Sequence, residues 1–371
     1  MLGAPIEVVK HPLAVAFLVV VLALIGVFLN FGEHGVDQSG QFVGGGGDGA
    51  RVKSMRELNR RRYASSADWL EGAHVQVDRY GDILAELEMF ISVGTTISQR
   101  LVGTTTEQAH QSYADPIFTK LLCHAISLKR LSPPLSMEES TQLWDMPSAC
   151  AIARCLIEAH DVLGYISLSQ VSDDERSFRA LVWNLHDQQR RSSMLNSIQS
   201  KDPQADAIHV NARDLAKEAE AHPWFTKISK SYPQRIRAGD APSFLLSHKE
   251  LNAANGVNHE YHVAATMMLS QYVHTLPMAV HQLMEFRAGT PEALHMSSMP
   301  IQYSLGFLAH AILRMVEVFP HGDQELTDPQ ALAFSRWNSV VENGVTASSF
   351  QGLSSGLSRN RSQVTDFEGY F

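Results

Sequence analysis

"DMPSACAIARCLIEAHDVLGYISLS", Asp145 to Ser169, decides the fold. Asp145 is a good helix N-cap, and Pro147 falls in the first turn, where a missing N–H breaks no helical bond. Ala, Ile, Cys and Leu then fill the segment, with Arg154 and Glu158 four apart on one face. The spacing predicts one helix from Asp145 to about Ser169.

The same pattern extends in both directions. Apolar residues at 80, 83, 84, 87, 90, 91, 97 and 101 mark one face of a long helix over Tyr80–Leu101. A second helix over Pro116–Leu131 stops before Pro133-Pro134. Ser172-x-x-Glu175 reads as a capping box opening a helix to about Ile198, and Ser247-x-x-Glu250 caps a short one. Ala205–Ala221, His259–His274, Met278–Arg287, Ile301–Phe319 and Asp328–Glu342 complete the series. Alternating strand patterns are nearly absent. The fold class is therefore all-α, a multi-helix bundle of roughly eight to ten helices.

One segment stands outside that pattern. Pro12–Phe31 carries no charged side chain and has no polar face. Twenty helical residues span about 30 Å, the thickness of a bilayer core. The run is longer than a signal peptide's apolar stretch, and no Ala-x-Ala follows it. We expect a short flank (1–11), one transmembrane helix (12–31), a Gly-rich linker (32–51), a helical domain (52–343) and a disordered tail (344–371). The lipid bilayer is thus the expected partner of residues 12–31. Arg51, Lys53, Arg56, Arg60, Arg61 and Arg62, opposed only by Glu57, suit contact with anionic lipid heads. The positive-inside rule places these bases, and the single-pass protein's body, in the cytoplasm.

Composition narrows the function. A net charge of −9 argues against a general nucleic-acid binder. Cys123, Cys150 and Cys155 form an odd set with no CxxC pair, which fits a reducing compartment. There is no P-loop, no Rossmann glycine pattern, no Gly-x-Ser-x-Gly elbow and no kinase motif, so no cofactor is implied.

The candidate site is a set of polar residues on apolar helices: Arg154, Glu158, His186, Asp187, Ser270 and His274. Buried polar groups need partners. Arg154, Glu158 and His274 are accordingly expected to meet inside the bundle.

The segments "IARCLIEA", "WNLHD" and "LSQYVH" resemble those of a bacterial all-helical family known only as a domain of unknown function. The resemblance covers roughly residues 80–319. It implies an all-α fold and no established chemistry, with Arg154, Glu158, Ser270 and His274 at its recurring polar positions.

Three functional readings follow. One is a non-enzymatic sensor or interaction module held at a membrane. A second is a metal-independent ribonuclease similar to HEPN proteins, with Arg179-x6-His186 or Arg314-x6-His321 stabilising phosphate charge and moving protons. A third is a metal-binding bundle using Glu158, His160, His186, Asp187 and His274. The orientation is directly testable. A reporter fused after Phe371 should be active only inside the cell, and alkaline-phosphatase activity from that fusion would reverse the topology.

Overall fold

The structure is a computed structural model that describes residues 66–103, 109–135, 143–285 and 288–345, with side chains from residue 78 onward. The expected span at 12–31, its linker, the basic cluster and the tail beyond 345 lie outside the described residues. Among the described residues there is no strand. No helix there is long and apolar enough to cross a membrane.

The helices are α1 (Ser66–Leu101), α2 (Ala114–Leu131), α3 (Met146–Leu163), α4 (Asp173–Ser197), α5 (Pro203–Ala221) and α6 (Ser231–Arg237). They continue with α7 (His248–Asn255), α8 (His259–Val273), α9 (Pro277–Glu285), α10 (Pro291–Val318) and α11 (Asp328–Asn343). The fold class expected from periodicity is the one observed.

Local signals set most boundaries. The Asp145 side chain accepts from Ser148 N and starts α3. Ser247 and Glu250 close a reciprocal capping box at α7. Asn258 caps α8 by accepting from Tyr261 N at 2.9 Å. Ser172 accepts from Glu175 N, but the Glu175 carboxylate turns to Arg179 and leaves the expected box half formed.

Three expectations need correction. The helix expected over Tyr80–Leu101 starts at Ser66, fourteen residues earlier. The helix expected to reach Ser169 ends as α-helix at Leu163 and continues as a wider π turn over Gly164–Leu168. The helix expected to start at Ile301 starts ten residues earlier, at Pro291. Pro300 lies inside it. A proline removes one helical hydrogen bond and crowds the preceding turn. Here Met296, Met299, Ile301 and Tyr303 are all buried around it, so tertiary packing holds both halves in line.

One large core joins α1, α2, α3, α8, α10 and α11. A smaller one lies between α4, α5 and the segments after them, around Phe178, Leu185 and Phe225. Helices α1 and α10 run in the same direction. A Cβ on Gly94 would meet Ile312 at 3.4 Å, and one on Gly322, just past α10, would meet Ile97 at 3.0 Å. Gly94 also faces Leu122 so closely that its missing side chain sets the approach of α2. Phe90 of α1 stacks on Phe334 of α11 with ring centroids 4.2 Å apart, and neither ring touches solvent appreciably. Phe90→Ala should destabilise the fold by about 3–5 kcal/mol, the usual loss for a buried aromatic ring. Chemical denaturation checks this; a change under about 1 kcal/mol would place Phe90 outside the core.

Candidate functional site

The main buried polar cluster is built by three helices of the large core. His160 and Asp161 lie on the last turns of α3, His262 on the second turn of α8, and His310 in the middle of α10. Their exposures are 3%, 5%, 2% and 4%. His262 Nε2 lies 2.9 Å from Asp161 Oδ2, and His160 Nδ1 lies 3.3 Å from Asp161 Oδ1. On the far side of the His160 ring, Nε2 lies 2.9 Å from His310 Nδ1. The result is a single chain: His262, Asp161, His160, His310.

Hydrogen-bond chemistry fixes the protons. An ionised carboxylate only accepts, so His262 donates from Nε2 and His160 donates from Nδ1. A neutral His160 then has a bare Nε2, which accepts from His310 Nδ1–H. The surroundings favour this arrangement. Burial works against the Asp161 charge, but the bonds from His160 and His262 outweigh it and hold the carboxyl down at about 2. Burial, then the neighbouring His160 and Arg314, push His310 down to about 3. His310 is therefore uncharged at neutral pH.

The walls are close. Phe307 presents its ring to both His160 and His262 in edge-on contacts, with centroids 5.1 and 5.7 Å away. Asn255, at the end of α7, lies against Gly164; a Cβ there would be 2.4 Å from Asn255 Oδ1. Asn255 Nδ2 donates to the Asp161 carbonyl at 3.5 Å, while Asn255 Oδ1 is buried without a partner. Asn252 Nδ2 reaches His259 Nδ1 at 3.0 Å, and its Oδ1 is likewise buried and unpaired. The αL residue Gly256 ends α7, and a Cβ at that position would lie 3.9 Å from His310 Nε2.

The residues expected from sequence lie elsewhere. Arg154 and Glu158 do pair, at 3.0 Å, but the Glu158 side chain is 58% exposed. His274 is exposed and caps the C-terminus of α8, with its N–H on the Ser270 carbonyl at 3.1 Å; Ser270 itself is half-buried. Arg154, Glu158 and His274 therefore do not form the buried cluster. The reason is rotational. Two helical positions, from Glu158 to His160, turn a residue from solvent to core. His186 Nδ1 bonds the Ala241 carbonyl at 2.7 Å, and Asp187 forms an exposed ion pair with Arg191 at 2.8 Å.

The two Arg-x6-His pairs are also engaged otherwise. Arg179 is buried, with Nη1 donating to the Tyr165 carbonyl at 3.3 Å and its guanidinium 4.5 Å from the Tyr165 ring. Arg314 donates to the Leu168 carbonyl at 2.9 Å, while His321 is exposed beyond the helix end. Both arginines tie off the π turn rather than face an open site.

Among the described residues, no group of three His, Cys, Asp or Glu side chains is arranged to hold a metal ion. The cluster itself explains this. His160 uses its two nitrogens in opposite directions, so the donors line up instead of converging on one point. His310 escaped sequence reasoning because it sits singly among apolar residues, and Asp161 and His262 because nothing local links two positions 101 residues apart. The usable signal was His160-Asp161 on the inward face of α3.

No family model, curated protein or solved structure matches the chain. The motif resemblance to an uncharacterised helical family thus remains an expectation from short segments.

A stability comparison separates the buried chain from the set expected by sequence. His262→Leu leaves the Asp161 carboxylate short of a donor in the core and should cost about 3–5 kcal/mol. Glu158→Ala removes an exposed i,i+4 pair and should change stability by no more than about 0.5 kcal/mol. Equal losses from the two variants in urea denaturation would refute this assignment.

Proposed function

We propose that this chain is a membrane-tethered, all-helical sensor module, and that its switch is the buried His262–Asp161–His160–His310 chain. The observation that carries the reading is the placement of one carboxylate and three imidazoles, each at most 5% exposed, across three helices of the main core. The tether rests on the uncharged run at residues 12–31.

The electrostatics of such a chain are two-sided. With all three rings neutral, it carries one buried negative charge. One added proton, on either ring beside Asp161, makes a balanced ion pair. A second leaves a net positive charge between α3, α8 and α10, with Arg314 nearby on α10. Charge of that kind is expensive in a core and is relieved by moving helices apart. His248 on α7 lies against the His262 ring, with centroids 6.5 Å apart.

The wider protein leans the same way. Burial, with lesser contributions from Arg176 and Arg79 respectively, holds His110 and His295 down at about 4. With His310 at about 3, these three rings stay neutral in the folded protein while the unfolded chain protonates near 6.5. The unfolded state then binds more protons, so stability is full above pH 6.5 and falls as pH drops toward 4. Asp161 adds a loss only below its unfolded value of 3.8, down to about 2.

The test is tryptophan fluorescence and amide exchange between pH 8 and pH 5, on the full chain in detergent. The reading expects a reversible loosening of α8 and α10 before global unfolding. Asp161→Asn and His310→Gln should each displace its midpoint by at least about half a pH unit, a fraction of a kcal/mol in proton affinity. A wild-type protein rigid down to its unfolding pH, or a transition unmoved in both variants, overturns the proposal.

A further inference from the structure

We infer that the α8–α9 end of the bundle is a second membrane contact, seated on the surface of the lipid bilayer. The inference rests on the tether reading and goes beyond the span at residues 12–31.

Several helix ends meet there. Tyr80 of α1 donates to the Pro133 carbonyl at 3.0 Å, which places the C-terminus of α2 beside the early part of α1. Helix α3 starts again from this end after the connecting loop. The Tyr272 hydroxyl of α8 donates to Gln282 of α9, closing a helical hairpin. Helix α10, parallel to α1, also begins here, since Arg79 lies within electrostatic reach of His295.

That end is unusually apolar. Val273, Leu276, Val280, Leu283 and Met284 are 42%, 38%, 39%, 44% and 65% exposed. Leu135, which packs against Gly81, adds another at 47%. Single exposed apolar residues such as Val102 or Leu332 are ordinary on any surface. Five within twelve residues are not. Moreover, Gln271 to Met284 contains no Asp, Glu, Lys or Arg. Thr275, at φ 53°, turns the chain between the helices in the left-handed region. The turn presents α9 as a projecting helix of about 13 Å.

Lipid is the occupant because of where the chain comes from. Helix α1 begins at Ser66, fourteen residues or about 21 Å before Tyr80, so the preceding chain enters from this side of the bundle. Only residues 32–65 separate α1 from the uncharged run. Even fully extended, a segment of that length reaches no further than about 120 Å. The hairpin is thereby held near the bilayer at high effective concentration, so even weak apolar contact is populated. A short helix whose one carboxylate is the terminal Glu285, and whose Val280, Leu283 and Met284 are exposed, suits the boundary between headgroups and acyl chains.

The experiment uses the full chain in phosphatidylcholine vesicles, with Cys123→Ser and Cys155→Ser removing the two exposed thiols. An environment-sensitive dye is placed singly through Val280→Cys, Leu283→Cys or, as control, Val210→Cys on α5. Circular dichroism verifies that each labelled chain is folded. At 280 and 283 the dye emission should shift to the blue and be quenched by nitroxide-bearing lipid. At 210 it should respond only to a water-soluble quencher. Aqueous quenching at all three sites overturns the inference. So does self-quenching at 280 that unlabelled chain relieves and nitroxide lipid does not alter, which would make the occupant a second copy. A chain washed off the vesicles by carbonate defeats the tether reading and this inference with it. A chain that stays bound while 280 and 283 remain in water defeats this inference alone.

Discussion

A carboxylate inside an apolar core is tolerated only when its oxygens are occupied by donors, and Asp161 imposes that condition on three helices at once. Its two oxygens take His160 from its own helix and His262 from α8. His160 can serve only if its second nitrogen also finds a donor, and His310 on α10 supplies it. Rotating any one of these helices by a single position would break the chain and strand a charge. The cluster therefore fixes the rotational setting of α3, α8 and α10, which apolar packing alone leaves softer.

The neighbouring backbone follows from the same constraint. Just after Asp161 the helix widens into a π turn, and Gly164 leaves room for Asn255 to lie against it. Arg314 and Arg179 then bond the carbonyls of Leu168 and Tyr165, which the turn displaces from the regular ladder. The unpaired oxygen of Asn255 lies against this irregularity at Gly164. Buried acceptors without partners are rare, and single π turns within helices are frequent at functional sites. One buried polar chain thus lies within an otherwise apolar interior, while several large apolar side chains are exposed at one end of the surface.

Much of the secondary structure was legible because its causes are local. Asp145, Ser247 and Asn258 each cap the helix that follows, and each does so with its own side chain a few residues along. The apolar face of α1 repeats every three to four residues, and Tyr80, Ile83, Leu87, Phe90 and Ile97 are buried as that spacing requires. Pro300 misled for the opposite reason. Its local preference ends a helix, but packing on both sides outweighs it. The wrong site assignment has a similar origin. Arg154 and Glu158 satisfy each other within one helix, so they need no core partner and remain at the surface.

By itself, the sequence determined the helical class, most helix starts, the uncharged segment at residues 12–31 and the absence of common cofactor motifs. These depend on periodicity, caps and length, all properties of neighbours along the chain. Only the tertiary structure decided which polar residues meet. His160 and His310 are 150 residues apart, and Asp161 and His262 are 101 apart. No local rule links such positions, because their contact depends on the packing angles of whole helices and on which face each helix turns inward. The exposed apolar end was hidden for the same reason: a helix pattern shows that a face is apolar, but only packing shows whether anything covers it.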